Sequence, residues 1–248
     1  MKLSVIIITH NEADMITDCL TSIQWADEII VVDRGSHDDT VALCRHFTDK
    51  ITITSDWPGF GIQKQRALQQ ATGDWVLSLD ADERVTPACR TAIEQVIQEP
   101  YAEHYKIRFQ PYFLGIAIHH GDWRNDYHVR LFKRTKAQFN NALLHEKLLI
   151  SGSSGIIKAP IKHYSYQDYD EVLDKLQRYS TAGAQRRVQE GKTSTPLLAI
   201  GKAIWAFQRH YWLRLGFLDG WPGFLLGLYI AHYTLYRYLK LWWITRTS

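Results

Sequence analysis

An α/β fold, with a mostly parallel sheet flanked by helices and a helical C-terminal extension, is the architecture this 248-residue sequence predicts. Three observations carry that expectation. Short β-branched runs recur through the first 80 residues, each apolar at nearly every position, as strands covered on both faces are. Segments with apolar residues at helical spacing separate them. The runs also lead into polar residues, Asn11, Asp33 and Asp80, at the carboxyl edge where an open α/β sheet holds its ligands.

The elements follow in order. Leu3 to Ile8 reads as a first buried strand, and Thr9-His10-Asn11-Glu12 as its polar turn. Met15, Ile16, Leu20 and Ile23 place a helix over 13–24. Glu28 to Val32 is a second strand ending at Asp33. Residues 36–48 read as a helix with Asp38 and Asp39 in its first turn, where the helix dipole favours acid. Ile51 to Ile53, a helix from Gln63 to Ala71, and a strand from Trp75 to Leu79 ending at Asp80 complete the alternation. Further on, Tyr105 to Phe109, Val129 to Phe132 and Lys147 to Ile150 look strand-like, the glycine-serine stretch 151–155 is a turn, and 168–190 is an amphipathic helix. A catalytic domain over 1–165 and a helical extension over 166–248 are expected.

Composition narrows the function classes. Three cysteines at 19, 44 and 89, odd in number and far apart, fit neither a disulfide framework nor a zinc site, so a reducing compartment is expected. The apolar run after Lys2 is too short for a signal peptide. Net charge is +3, but 151–248 holds 13 Lys and Arg against six Asp and Glu, leaving 1–150 at −4. A basic, aromatic C-terminal part points to an anionic surface. The uncharged run from Gly220 to Tyr236 is short and broken by Pro222 and glycines, whereas a span needs about 20 apolar residues. Aromatics mixed with Arg209, Arg214, Arg237 and Lys240 suit a membrane headgroup zone. Helices lying on a membrane face are therefore expected, and no nucleic-acid partner. The oligomeric state stays open.

The chemistry-bearing motif is Gly73-Asp74-Trp75-Val76-Leu77-Ser78-Leu79-Asp80-Ala81-Asp82-Glu83. A buried strand delivers two carboxylates, one small residue apart, to the sheet edge. Such a pair suits Mg²⁺ or Mn²⁺, which take hard oxygen ligands and leave positions for phosphate oxygens. With Ser4 to Glu12 and Glu28 to Thr40, this block resembles the family 2 glycosyltransferases of GT-A fold. Arg130-Leu131-Phe132, His145-Glu146, His163-Tyr164-Ser165 and Gly216 to Gly220 make it most similar to the bacterial lipopolysaccharide core β-1,4-glucosyltransferase group.

The resemblance implies an inverting transfer of a hexose, glucose first, from a UDP-sugar to a lipopolysaccharide inner-core acceptor at the cytoplasmic face of the inner membrane. It implies that Thr9, Asn11 and Glu12 line the nucleotide pocket, that Asp33 accepts from the base, and that Lys64 meets the base or a phosphate. Asp80 would face the ribose or the metal and Asp82 the metal. Arg34 and Gln65 stand where the family usually has a small residue and Asn. An inverting transfer needs a general base. Glu146 is the choice, with Asp122 and Asp126 as rivals. His163 is a candidate metal or phosphate contact. Trp123, Arg124, Arg130 and His145 are candidate acceptor contacts, since aromatics stack on sugars and arginine grips phosphate or carboxylate. Three rivals stand beside this reading, and the intact set of Asp80, Asp82 and Glu146 speaks against one of them, a non-catalytic membrane-binding module. A polyprenyl-phosphate transferase would bring clear spanning helices, and a sugar-1-phosphate nucleotidyltransferase a glycine-rich N-terminal signature unlike Thr9-His10-Asn11-Glu12.

Overall fold

The computed structural model describes residues 1–124, 126–140 and 148–247. The chain forms two compact units, Met1–Phe109 with Asn125–His163, and Gln110–Arg124 with Tyr164–Ser248.

The first unit begins as anticipated. Strands β1 (Leu3–Thr9), β2 (Glu28–Asp33), β3 (Ile51–Ile53) and β4 (Trp75–Asp80) form a parallel block in the order β3-β2-β1-β4. Period-two alternation divides each run between two cores. Leu3, Val5 and Ile7 join Ile29, Val31, Trp75, Leu77 and Leu79 on one face. Ile6 joins Ile30, Val32 and Val76 on the other. Helices α1 (Ala13–Thr21) and α4 (Pro87–Gln98) cover the first face through Ile16, Cys19, Leu20, Ile93 and Ile97. Helix α3 (Phe60–Gln70) covers the second through Ala67 and Leu68. All three cysteines are free and buried.

The remaining strands are β5 (Glu83–Val85), β6 (His104–Phe113), β7 (Ile116–Ala117), β8 (Asp126–Lys133), β9 (Ala137–Phe139), β10 (Leu148–Ile150) and β11 (Ser154–Tyr166). The sheet continues past β4 as β8-β6-β11-β5, with β7 on β6, and these pairings are antiparallel wherever the register is defined. The parallel part is thus the first four strands, and the sheet as a whole is mixed. β9 and β10 form a separate two-stranded sheet.

Local differences from the expected elements have visible causes. The helix expected over 36–48 is only α2 (Thr40–Cys44). The Asp38 carboxylate instead holds the preceding loop, accepting from Thr40 N, Thr40 Oγ1 and Ala13 N. Helix α3 starts three residues before the expected Gln63, after Gly59 at φ +110°. The 13-residue β11 takes in part of the expected 151–155 turn.

The second unit contains α5 (Tyr169–Gln189), α6 (Pro196–Gln208) and α7 (Gly220–Thr247). Asp168 and Thr195 cap the first two, accepting from Glu171 N and Leu198 N. Its core includes Phe113, Tyr166, Leu176, Ala206, Leu226 and Ile230. Among the described residues, no helix is long and apolar enough to cross a membrane.

Candidate functional site

The site grows from the carboxyl end of β4. Asp80 is the last residue of the strand, Ala81 and Asp82 turn the chain, and Glu83 starts β5. β5 pairs antiparallel with β11, which sets His163 directly opposite Glu83 across 80 residues of sequence. β8 pairs antiparallel with β4, and this brings Arg130 beside Asp80. Arg84 buttresses the turn by donating to Ala81 O at 2.8 Å.

Two linked groups result. In the first, Asp80 meets Lys64 Nζ at 3.0 Å through Oδ1 and Arg130 at 2.8 Å through Oδ2. Arg130 also pairs with Glu83 Oε1, while Glu83 Oε2 accepts from Asp80 N at 3.2 Å. Lys64 is only 4% exposed, so it is a buried partner of Asp80 and not a solvated helix lysine. Burial alone would raise the Asp80 pKa, but the charges of Lys64 and Arg130 hold it well below the usual carboxylate range. Glu83 behaves oppositely. It is fully buried, and desolvation pushes it up to about 7 against the charge of Arg130, helped by Asp80.

In the second group, His163 Nε2 lies 3.2 Å from Asp82 Oδ2. Burial disfavours the imidazolium, yet the hydrogen bond to Asp82 raises the His163 pKa overall. One ligand atom each from Asp82, Glu83 and His163 fall within 4.8 Å of one another. Two carboxylates and an imidazole suit a divalent cation such as Mn²⁺ or Mg²⁺. Glu83 was the residue sequence reasoning overlooked. Its only local signal is its place beside Asp82; its partners come from distant strands.

Beside Asp80 lies a cavity of about 400 Å³, lined by Lys64, Ser78, Asp80, His128, Arg130 and Phe139, among others. Asp126, His128 and Arg130 alternate along one face of β8, and Asp126 accepts from His128 at 2.8 Å. The Phe109 ring meets the His128 and His163 rings edge-on at 4.9 and 5.5 Å, and Arg130 lies over it at 5.2 Å. Sequence reasoning gave His128 no role.

The strand-end loops of β1 and β2 are bound to each other. Asp33 is fully buried, accepting from Thr9 Oγ1, Ser36 N and Ser36 Oγ. Asn11, at φ +56°, donates its backbone N–H to Ser36 Oγ and accepts from His37 N. Glu12 N donates to Thr40 Oγ1 at 2.7 Å. The two atypical residues have structural partners: Arg34 lies over the Trp57 ring at 4.5 Å, and Gln65 accepts from Phe139 N at 2.9 Å.

The described candidate acceptor residues are divided between the two units. Arg130 belongs to the first unit and is committed to Asp80 and Glu83. Trp123 and Arg124 belong to the second, where Trp123 stacks on Tyr166 at 5.6 Å and Arg124 is exposed. The rival base Asp122 pairs there with Arg209 and Arg214, both at 2.6 Å. His145 and the candidate base Glu146 lie outside the described residues.

The chain matches the model of Glycosyl transferase family 2 over residues 4–164. It is 29% identical to an uncharacterized glycosyltransferase of Rickettsia felis, across 97% of this chain and 89% of that protein. It is also 29% identical to the lipopolysaccharide core biosynthesis glycosyltransferase LpsC of Rhizobium meliloti, across 77% of this chain and 74% of that one. Among solved structures, residues 1–349 of S. aureus TarS in complex with UDP-GlcNAc share the fold, with a TM-score of 0.51 at 16% identity over 100% of this chain and 92% of that one. With its parallel block ending in an acidic cluster at the carboxyl edge of β4, this chain belongs to glycosyl transferase family 2 and has the GT-A fold.

Proposed function

We propose that this protein moves a hexose, glucose in the first instance, from a UDP-sugar to a lipopolysaccharide inner-core acceptor, with inversion at the anomeric carbon. The observation that carries the reading is the meeting of Asp82, Glu83 and His163 beside the Lys64–Asp80–Arg130 ion pairs. Cationic groups and ligands for a divalent cation stand together, as departure of a diphosphate requires. The likeness to LpsC makes the lipopolysaccharide core the first acceptor to test. UDP-GlcNAc, bound in the TarS structure, makes UDP-sugars the first donors.

In this reading Asp82 and His163, with Glu83, hold Mg²⁺ or Mn²⁺, and Asp80 shares that task while serving the ribose. Such a cation supplies charge that neutralises the departing diphosphate. Thr9, Asn11, Glu12 and Asp33 shape the nucleotide pocket, and Lys64 reaches the donor from α3. The acceptor hydroxyl oxygen attacks the anomeric carbon as the bond to the diphosphate oxygen breaks. Its proton passes to Glu146, and the bonding electrons leave with UDP. Trp123, Arg124, Arg130 and His145 are assigned to the acceptor, and the protein to the cytoplasmic face of the inner membrane, as a peripheral enzyme.

The test is a panel of UDP-sugars with Mn²⁺ or Mg²⁺, with UDP release measured without and with extracted lipopolysaccharide core. Acceptor-dependent UDP release is expected with one hexose donor. Pyrophosphate as the product, or no turnover with any donor, would refute the reading. Glu146→Gln is expected to abolish transfer while donor binding persists, and near-normal turnover would remove Glu146 from the base role.

A further inference from the structure

Helix α6 is built inside out. Its small residues Ala199, Ala203 and Ala206 are buried, at the spacing of one helical face. Its large apolar residues point outward, with Leu197 82% exposed, Ile204 58% and Trp205 55%. A helix covering a water-soluble core does the reverse, because large side chains release most free energy on leaving water. Small residues against a neighbouring helix, with large apolar ones on the outside, are the arrangement of helices surrounded by lipid. The neighbour here is α7, where Ala206 shares a cluster with Leu226 and Ile230, and Phe207 closes on Gly227.

The apolar surface continues past α6. Trp212, Leu213 and Leu218 in the turn leading to α7, and Trp221 at the start of α7, are each more than half exposed. A groove of about 350 Å³ runs between the two helices, walled by Ile200, Ile204, Phe207, Leu228, Ala231 and Leu235.

Charge identifies the occupant. From Gly191 to the last residue there are seven Lys and Arg and one acid, Asp219. That acid is withdrawn: its side chain is 4% exposed, pairs with His120, and accepts from His119 N and His120 N. Arg209 and Arg214 share the single carboxylate of Asp122, which is 11% exposed, and remain 41% and 45% exposed themselves. A second copy of this chain docked through the same face would set cations against cations. An anionic bilayer supplies both the apolar phase and the counter-charge. Length sets the mode of insertion. Thirteen residues make a helix of about 20 Å, against about 30 Å of bilayer hydrocarbon.

We infer that α6 and the turn after it embed in one leaflet of an anionic membrane, with the groove between α6 and α7 filled by acyl chain. The inference rests on the peripheral-membrane reading above and deepens it from adsorption on headgroups to insertion of a named helix.

Because the native cysteines are buried, a cysteine added at the surface can be labelled selectively. The full chain carrying Ile204→Cys, labelled with an environment-sensitive fluorophore, is mixed with vesicles of phosphatidylcholine and phosphatidylglycerol. Ile156→Cys, in the first unit and 56% exposed, is the control. The label at 204 is expected to shift to the blue, to be quenched by quenchers in the acyl region, and to keep both properties in ~1 M salt, where charge adsorption is screened. The label at 156 is expected to stay in water. The unlabelled double variant Ile204→Gln with Trp205→Gln is expected to bind vesicles about tenfold more weakly or worse, with unchanged thermal unfolding and donor-dependent UDP release. A bound protein whose label at 204 stays wet, release by salt, or vesicle binding unaffected by the double variant would overturn the insertion of α6 alone. No vesicle binding by the wild-type chain would overturn the peripheral reading with it. A dimer that shields residue 204 without vesicles would give the surface to a second copy instead.

Discussion

Replacing Arg130 by Met isolates what holds the acidic edge of β4 together. Arg130 bonds both Asp80 and Glu83, and Glu83 is fully buried. Met fills similar volume but leaves Glu83 without its charge partner and facing the charge of Asp80, which keeps Lys64. Removing one member of a buried ion pair costs about 3–5 kcal/mol where the other keeps its charge; Glu83, already near 7, can take up a proton at neutral pH, so a loss of about 1–3 kcal/mol is expected. The second variant, Glu83→Gln, retains an oxygen for Asp80 N and carries no charge. The double variant should therefore be destabilised by less than the two single losses combined, with a coupling of at least about 1 kcal/mol. The assay is urea unfolding of the full chain at neutral pH with a chelator present, which keeps metal binding out of the comparison. A loss below about 1 kcal/mol for Arg130→Met, or strict additivity of the pair, would refute the view that Arg130 neutralises this edge.

Asp82→Asn should lower metal-dependent UDP release about 100-fold or more while leaving the unfolding midpoint near wild type; full Mn²⁺ stimulation in the variant would exclude Asp82 from the metal group. Glu28 is nearly buried and accepts from Lys50, Ser4 and Thr72. Burial opposes its charge, but these hydrogen bonds lower its pKa from 4.5 to about 2. Between those values the unfolded chain binds the proton first, so this contribution, on the order of 3 kcal/mol, is complete above pH 4.5 and lost as pH falls towards 2. Acid titrations of stability should show a shallower limb in Glu28→Gln, and identical limbs would rule out the contribution. Gly73→Ala would set a Cβ 2.7 Å from Ser4 Oγ and 2.9 Å from Lys2 O at the start of β1. A loss of about 1–3 kcal/mol is expected by thermal unfolding, and a wild-type midpoint would show that the strand edge gives way freely.

Much of the first unit was legible in the sequence because its information is local. Leu3 to Ile8, Glu28 to Val32 and Trp75 to Leu79 read as doubly covered strands, and their alternate residues do enter opposite cores. The polar residues after them then had to appear at one sheet edge, which is why Asn11, Asp33, Asp80 and Asp82 could be singled out. The short helix at Thr40–Cys44 escaped the same reasoning. Asp38 closes the loop between β2 and α2 onto Thr40 and ties it to Ala13 at the start of α1, instead of opening a long helix, and competition of that kind depends on which backbone groups lie nearby.

Local pattern alone therefore determined the parallel strands, the edge on which the acids collect, and a C-terminal part rich in aromatics and poor in acid. Tertiary structure decided the rest. Antiparallel pairing of β5 with β11 and of β4 with β8 delivered His163 and Arg130 to that edge and turned Glu83 into a buried carboxylate, while the packing of α3 on the sheet gave Lys64 its partner Asp80. No spacing in the chain encodes those meetings, because the pairings join segments about 50 and 80 residues apart. The same holds for α6. Its composition was plain, but which face meets α7 is set by close packing on alanines, and only that packing leaves Leu197, Ile204 and Trp205 outside.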